Sequence, residues 1–240
     1  MRRFWTEVSV RAEPGGAAVL LDGRPLRTPG RAPLVVPGAA LAEAIAEEWR
    51  AAPPAVEPRA MPLTGLANAA IDHAAPDRAA FAERLAGYAG CDTLCYRASH
   101  PEGLVARQES LWNPPLAALE CRLGVRFRCT TGIEFAAQPE ETLARVRAAY
   151  AALDAFRLAA LSTVVALTAS GVLGLVLALR LGTPEEVWRA GLLEELWQAE
   201  RWGEDAEAET SRALRRQAYD AAVRFLALLP EPAAGWTASG

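Results

Sequence analysis

The sequence predicts an α+β protein: a small N-terminal antiparallel β domain joined to a larger, mainly α-helical domain with a buried apolar central helix. Three observations carry that prediction. Residues 4–36 alternate apolar and polar positions around turn signals. From residue 37 to about 229, apolar residues recur at helical spacing. Leu158 to Leu179, which is 179 − 158 + 1 = 22 residues, holds no charge between Arg157 and Arg180. The expected boundaries are 1–36 for the β domain, 37–230 for the helical domain and 231–240 for a loose tail.

The β segment reads strand by strand. Val8 and Val10 alternate with Glu7, Ser9 and Arg11, and Pro14-Gly15-Gly16 turns the chain. Residues 17–21 form a second strand, and Asp22-Gly23 is a two-residue hairpin signal. Residues 24–28 come after it, confined by Pro25 to an edge or an irregular strand. Leu34-Val35-Val36 closes the set. So small a sheet must dock on the helical part of the chain.

Helices come next. Residues 39–51 place Leu41, Ile45 and Trp49 on one face, and Pro53-Pro54 ends them. Met61-Pro62-Leu63-Thr64 starts a second helix and residues 77–88 make a third. Residues 94–96 suit a short strand or a buried turn. A helix over 103–112 is expected to stop at Asn113-Pro114-Pro115, where Asn113 caps a new helix running to 123. Residues 125–130 alternate as a strand, with a partner near 132–135. Residues 139–153 form a helix with Glu140 and Glu141 in its first turn. Asp154 caps the apolar run, and Thr183-Pro184-Glu185-Glu186 starts a helix to Trp202. Gly203 breaks it, and a last helix covers 204–229.

The 22-residue run is long enough to cross a bilayer. Its Ser162, Thr163, Thr168, Ser170, Gly171 and Gly174 lower its hydrophobicity, and Ser170-Gly171 offers a break. No aromatic anchor ends it, and its neighbours are amphipathic and rich in arginine. It reads as one long helix, or a pair, buried in the core of a soluble domain.

The composition, 52% apolar and 22% charged, suits a globular protein with a real core. A net charge of −4 excludes the basic surface that a nucleic-acid binder needs. All 25 basic residues are arginine, so no lysine nucleophile or Schiff base exists. Cys91, Cys95, Cys121 and Cys129 do not match zinc-site spacing and read as free thiols in a reducing cytoplasm. The N-terminus turns polar at once and lacks the apolar region of a secretion signal. Nucleophile-elbow, phosphate-loop and dinucleotide fingerprints are missing, and His73 and His100 have no second histidine at ligand spacing. No enzyme, no cofactor and no metal is expected. The alternative is a small-metabolite enzyme using Asp72, His73, Asp92 or Arg107 in a cleft between the β and helical parts.

One stretch stands out. The helical stripe Trp188, Leu192, Glu195, Ala199, Trp202 sets a carboxylate among apolar and aromatic residues. Such a charge needs a partner. It is either an internal ion pair, for example with Arg157 or Arg180, or a charged anchor in a protein-binding patch. Leu196 and Trp197 project from a neighbouring face.

Pieces along the chain resemble the assembly chaperones of the ATP synthase catalytic head, the Atp-twelve type of mitochondria and alphaproteobacteria. They are Arg3-Phe4-Trp5 with Val8; Leu20 to Pro25 with Arg27-Thr28-Pro29; Ala44 to Trp49; Met61 to Thr64 with Ala67-Asn68 and Ile71-Asp72. Tyr88 to Arg97, Ala106-Arg107-Gln108 with Trp112, and Trp197-Gln198 with Trp202-Gly203-Glu204-Asp205 complete them. Their order over some 200 residues carries the likeness. The resemblance implies a non-enzymatic cytoplasmic chaperone, a monomer, binding the unassembled alpha subunit and shielding its beta-facing interface. It implies no contact with nucleic acid or membrane. It places the family's sensitive acid on Glu195, with Trp197, Gln198, Trp202 and Asp205 as further partner-binding residues. Asn113 and Leu196 depart from the family's acids at those positions.

Overall fold

The computed structural model describes residues 2–132, 134–203 and 206–231. Packing divides the chain into two units. Of the described residues, the first holds 2–78, Asp154–Ala160 and 220–231; the second holds Ala79–Leu153 and Leu161–Tyr219.

In the first unit, β1 (Val8–Glu13) and β2 (Gly16–Leu21) pair antiparallel from Val8↔Leu21 to Glu13↔Gly16. On its other side β2 takes β3 (Arg24–Pro25) at one end and β4 (Val35–Val36) at the other. The third strand is therefore shorter than the expected 24–28. Beyond Pro25 the ladder loses its regular register: Leu26 still donates to the Val19 carbonyl at 2.8 Å, and Arg27 bridges Pro33. Asp22 holds the hairpin turn by accepting from the backbone N–H groups of Thr6 (3.0 Å) and Glu7 (2.8 Å). These donors keep its carboxyl below the usual range.

The sheet docks on α1 (Ala39–Ala51), which packs on β1 and β2 and buries Leu41, Ile45 and Trp49. Trp5 lies 4.9 Å from the Trp49 ring and donates to the Trp49 carbonyl at 3.2 Å. Helix α2 (Pro62–Ala69) lacks a cap of its own. Glu48 of α1 supplies it, accepting from the N–H groups of Leu63 (2.7 Å) and Thr64 (2.9 Å). Glu48 is thus a helix cap rather than a solvated face. Partial burial outweighs those bonds and raises its carboxyl.

The second unit is helical: α3 (Arg78–Gly87), α4 (Glu102–Leu123), α5 (Glu140–Ala151), α6 (Ala155–Thr168), α7 (Gly171–Ala178), α8 (Pro184–Gly191), α9 (Leu193–Trp202) and α10 (Ala206–Leu228). Helix α6 begins, and α10 ends, in the first unit. Asp154 caps α6 by accepting from Phe156 and Arg157, both at 2.9 Å.

Three expectations need correction. Helix α4 runs through Pro114 and Pro115 without stopping. The prolines remove two donors from the ladder, but Trp112, Leu116, Leu119 and Leu123 stay on one buried face, and burial outweighs the break. Residues 125–129 are not a strand. Val125 and Phe127 are buried without ladder partners, and only β6 (Thr130–Thr131) pairs, in parallel with β5 (Tyr96–Arg97). The expected strand near 132–135 does not form among its described residues. The helix from Thr183 to Trp202 is two, joined at Leu192, whose backbone (φ −107, ψ 12) leaves the helical region.

The apolar run divides at the break that Ser170-Gly171 suggested. Helix α7 packs on α4 and α8, and its small residues let neighbours close in. A Cβ on Gly174 would clash with the Tyr150 hydroxyl. No helix among the described residues is long and apolar enough to cross a membrane.

Candidate functional site

The five residues singled out for partner binding fall on or just beyond α9. Asp205 lies outside the described residues. Glu195 accepts from Arg212 Nε at 2.9 Å and Arg215 Nη2 at 2.5 Å. The internal-pair reading is right in kind, with partners from α10 in place of Arg157 or Arg180. Arg157 instead pairs with Asp154. Partial burial pushes the Glu195 carboxyl up, but the bonds from Arg215 and Arg212 outweigh it and hold it below the usual range. The pair leaves Glu195 about one third exposed, at 35%.

Trp197 points the other way. Two residues along a helix is 200°, so its ring lies nearly opposite Glu195. It rests on the first turn of α4, where Gly103 leaves it room. Arg107 lies 5.0 Å and Arg201 5.3 Å from its ring centre, so two guanidinium groups lie against the indole. Arg107 also pairs with Glu200 at 2.7 Å. Beside it, buried Gln108 accepts from Ala98 N–H (2.8 Å) and donates to Glu194 (2.8 Å). A groove of about 480 Å³ runs along this seam, lined by Leu111, Leu193, Leu196 and Arg189 among others.

Gln198 and Trp202 lie at i+3 and i+7 from Glu195, on its side of the helix, and both are exposed. Trp202 is 76% exposed, the largest apolar side chain presented by α9. Trp188 is not in this group. It belongs to α8, is buried, and packs against Tyr219 at 5.1 Å with Arg216 over its ring. The single aromatic stripe is therefore divided by the break at Leu192. One face of α9 is fixed to α4 and another is pinned by ionic bonds to α10, leaving Gln198 and Trp202 to solvent.

The fixing residues Arg107, Arg212 and Arg215 were not foreseen as a group. The only signal was the i, i+3 spacing of Arg212 and Arg215, which is common on solvated faces.

Of the residues weighed for an enzyme, Asp72, Asp92 and Arg107 have structural partners. Asp72 accepts from the Thr28 hydroxyl (2.7 Å) and Gly30 N–H (2.8 Å). Asp92 is fully buried and accepts from Ser170 Oγ (2.7 Å), Val172 N–H (2.9 Å) and Leu94 N–H (3.1 Å). Burial pushes its carboxyl up to about 6 against those bonds. His73 is exposed. Among the described residues, no three His, Cys, Asp or Glu side chains group as metal ligands.

Comparison with known proteins gives one answer. Residues 2–120 match the family model described as ATP12 chaperone protein. Atp12 from Paracoccus denitrificans, a crystal structure, is 44% identical, with 95% of this chain and 98% of that chain covered at a TM-score of 0.90. The Atu1473 protein from Agrobacterium tumefaciens is 42% identical, with 95% and 86% covered at a TM-score of 0.90. Mitochondrial protein atp12 of Schizosaccharomyces pombe is 27% identical over 236 residues, 92% of this chain and 81% of its own.

Proposed function

Because the chain belongs to the ATP12 chaperone family, we propose that it assists assembly of the F-type ATP synthase catalytic head by binding the unassembled alpha subunit. It shields that subunit's beta-facing interface, works in the cytoplasm as a monomer, and catalyses no reaction. The observation that carries this reading is the 44% identity over 95% of the chain with the Paracoccus denitrificans protein.

The construction of α9 supports a recognition role. A helix held at two faces has its backbone ordered before binding, and the exposed tryptophan it presents is an apolar anchor. Gln198 and Trp202 are proposed as direct contacts, with Glu195 as a fixed charge at their edge. Trp197 holds the helix to α4, and Asp205 extends the segment. An unassembled subunit exposes an apolar, partly charged surface that aggregates unless covered. The cover must bind less tightly than the final neighbour, so that the beta subunit displaces it.

Co-purification with the alpha and, separately, the beta subunit of the same organism's ATPase tests this. Recovery of alpha and not beta is expected, with Trp202→Ala folding normally and losing the capture. Recovery of neither, with both subunits folded, removes the reading.

A further inference from the structure

The cysteines divide unevenly. Cys91 and Cys121 are exposed on helical or turn segments, whereas Cys95 and Cys129 end up side by side. The parallel ladder pairs Tyr96 with Thr130 and Arg97 with Thr131. Cys95, the last residue of a 3-10 turn, and Cys129, at the end of a loop, immediately precede the paired residues, and their thiols lie close enough to shift each other's titration. A disulfide needs Cα atoms about 4.4–6.8 Å apart, a separation that the entry to two hydrogen-bonded strands, about 4.8 Å apart, allows. One member is buried, at 1% exposed, and the other faces solvent. Arg97 stands next to Cys129, held in place by its bond to the Leu94 carbonyl at 2.7 Å.

We propose that Cys95 and Cys129 are a peroxide-oxidised dithiol, with Cys129 the attacking thiol and Cys95 the resolving one. The neighbouring Cys95 thiol, with Arg97 adding to it, lowers the Cys129 thiol below its ordinary value, while the same neighbour and burial raise Cys95. The exposed member is therefore the thiolate. Its sulfur attacks one oxygen of hydrogen peroxide, the O–O bond breaks, hydroxide leaves, and Cys129 becomes a sulfenic acid. The Cys95 sulfur then attacks the Cys129 sulfur and the S–OH bond breaks. The leaving hydroxide takes up the Cys95 proton as water. In sum two thiols and one peroxide give one disulfide and two waters. The product ties the turn before β5 to the loop before β6 and encloses α4 between them.

Full-length protein treated with hydrogen peroxide tests this. Intact mass is expected to fall by about 2 Da, the loss of two hydrogens on forming one intramolecular disulfide. Trypsin leaves Cys91 and Cys95 in one peptide, 85–97, and Cys129 in another, 129–145. Variants must therefore separate the two. Cys91→Ser is expected to keep the cross-link. Cys95→Ser is expected to lose it and leave Cys129 as a sulfenic acid captured by dimedone, ahead of Cys121. A bond that survives Cys95→Ser, a bond lost in Cys91→Ser, or oxidation of Cys129 no faster than Cys121 would overturn the proposal. If Cys95→Ser does not fold, the Cys91→Ser map and the wild-type rates still decide.

Discussion

A methyl group on Gly103 would stand 2.8 Å from Cη2 of Trp197. The indole therefore occupies space on α4 that only glycine leaves, and this seam sets how α9 lies. Because the atom met is the far end of a side chain, the indole can swing away at small cost. Gly103→Ala is thus expected to move the Trp197 indole N–H resonance while leaving stability within about 0.5 kcal/mol. An unmoved resonance would mean that Gly103 does not position the ring.

Glu195 is bonded to two arginines at a site about one third exposed, where such pairs contribute about 1 kcal/mol or less. Glu195→Gln is expected to fold and to lose no more than about that amount. Its folded carboxyl sits below the unfolded value, so the contribution is present at neutral pH and lost as pH falls through the folded value. Urea titrations of both proteins should converge in acid. A gap that widens in acid contradicts this assignment.

The Trp112 indole donates to the Ala190 carbonyl at 2.7 Å, inside the core at the C-terminal end of α8. Trp112→Phe keeps most of the ring but orphans that carbonyl. A loss of about 1–3 kcal/mol in chemical denaturation is expected. A loss under about 0.5 kcal/mol would show that the bond contributes little.

Asp92 holds its proton more tightly in the fold than in the unfolded chain, because burial raises it from 3.8 to about 6. Its stabilisation is full below the unfolded value and lost as pH rises through the folded one. Relative to Asp92→Asn, the wild type should lose about 3 kcal/mol between roughly pH 4 and pH 7. A stability difference independent of pH over that window would place the proton elsewhere.

Much of the architecture was legible because local chemistry decided it. Thr183 and Glu186 form the reciprocal cap that their spacing implied, and α1 spans the same 39–51 read from its apolar face. Where tertiary packing decided, local signals misled. Asn113-Pro114-Pro115 carries a stop signal, yet the buried face through Trp112 and Leu116 keeps α4 intact. Alternation at Val125 and Phe127 reports one-sided burial, which a loop satisfies as well as a strand. For the candidate site, Glu195 was found from its apolar setting, but its arginines lie 17 and 20 residues away on α10. No periodicity within α9 could name them.

The cap on α7 has a kinetic consequence. Ser170 caps the helix locally, but Ser170 and the N–H of Val172 both depend on Asp92, 78 and 80 residues earlier. Thr183 can start α8 from within its own turn, whereas α7 must await the closure of a long loop. Its two glycines add little propensity to begin sooner. Refolding should therefore bring α7 in among the last elements, with its rate limited by a search over many residues rather than by helix nucleation.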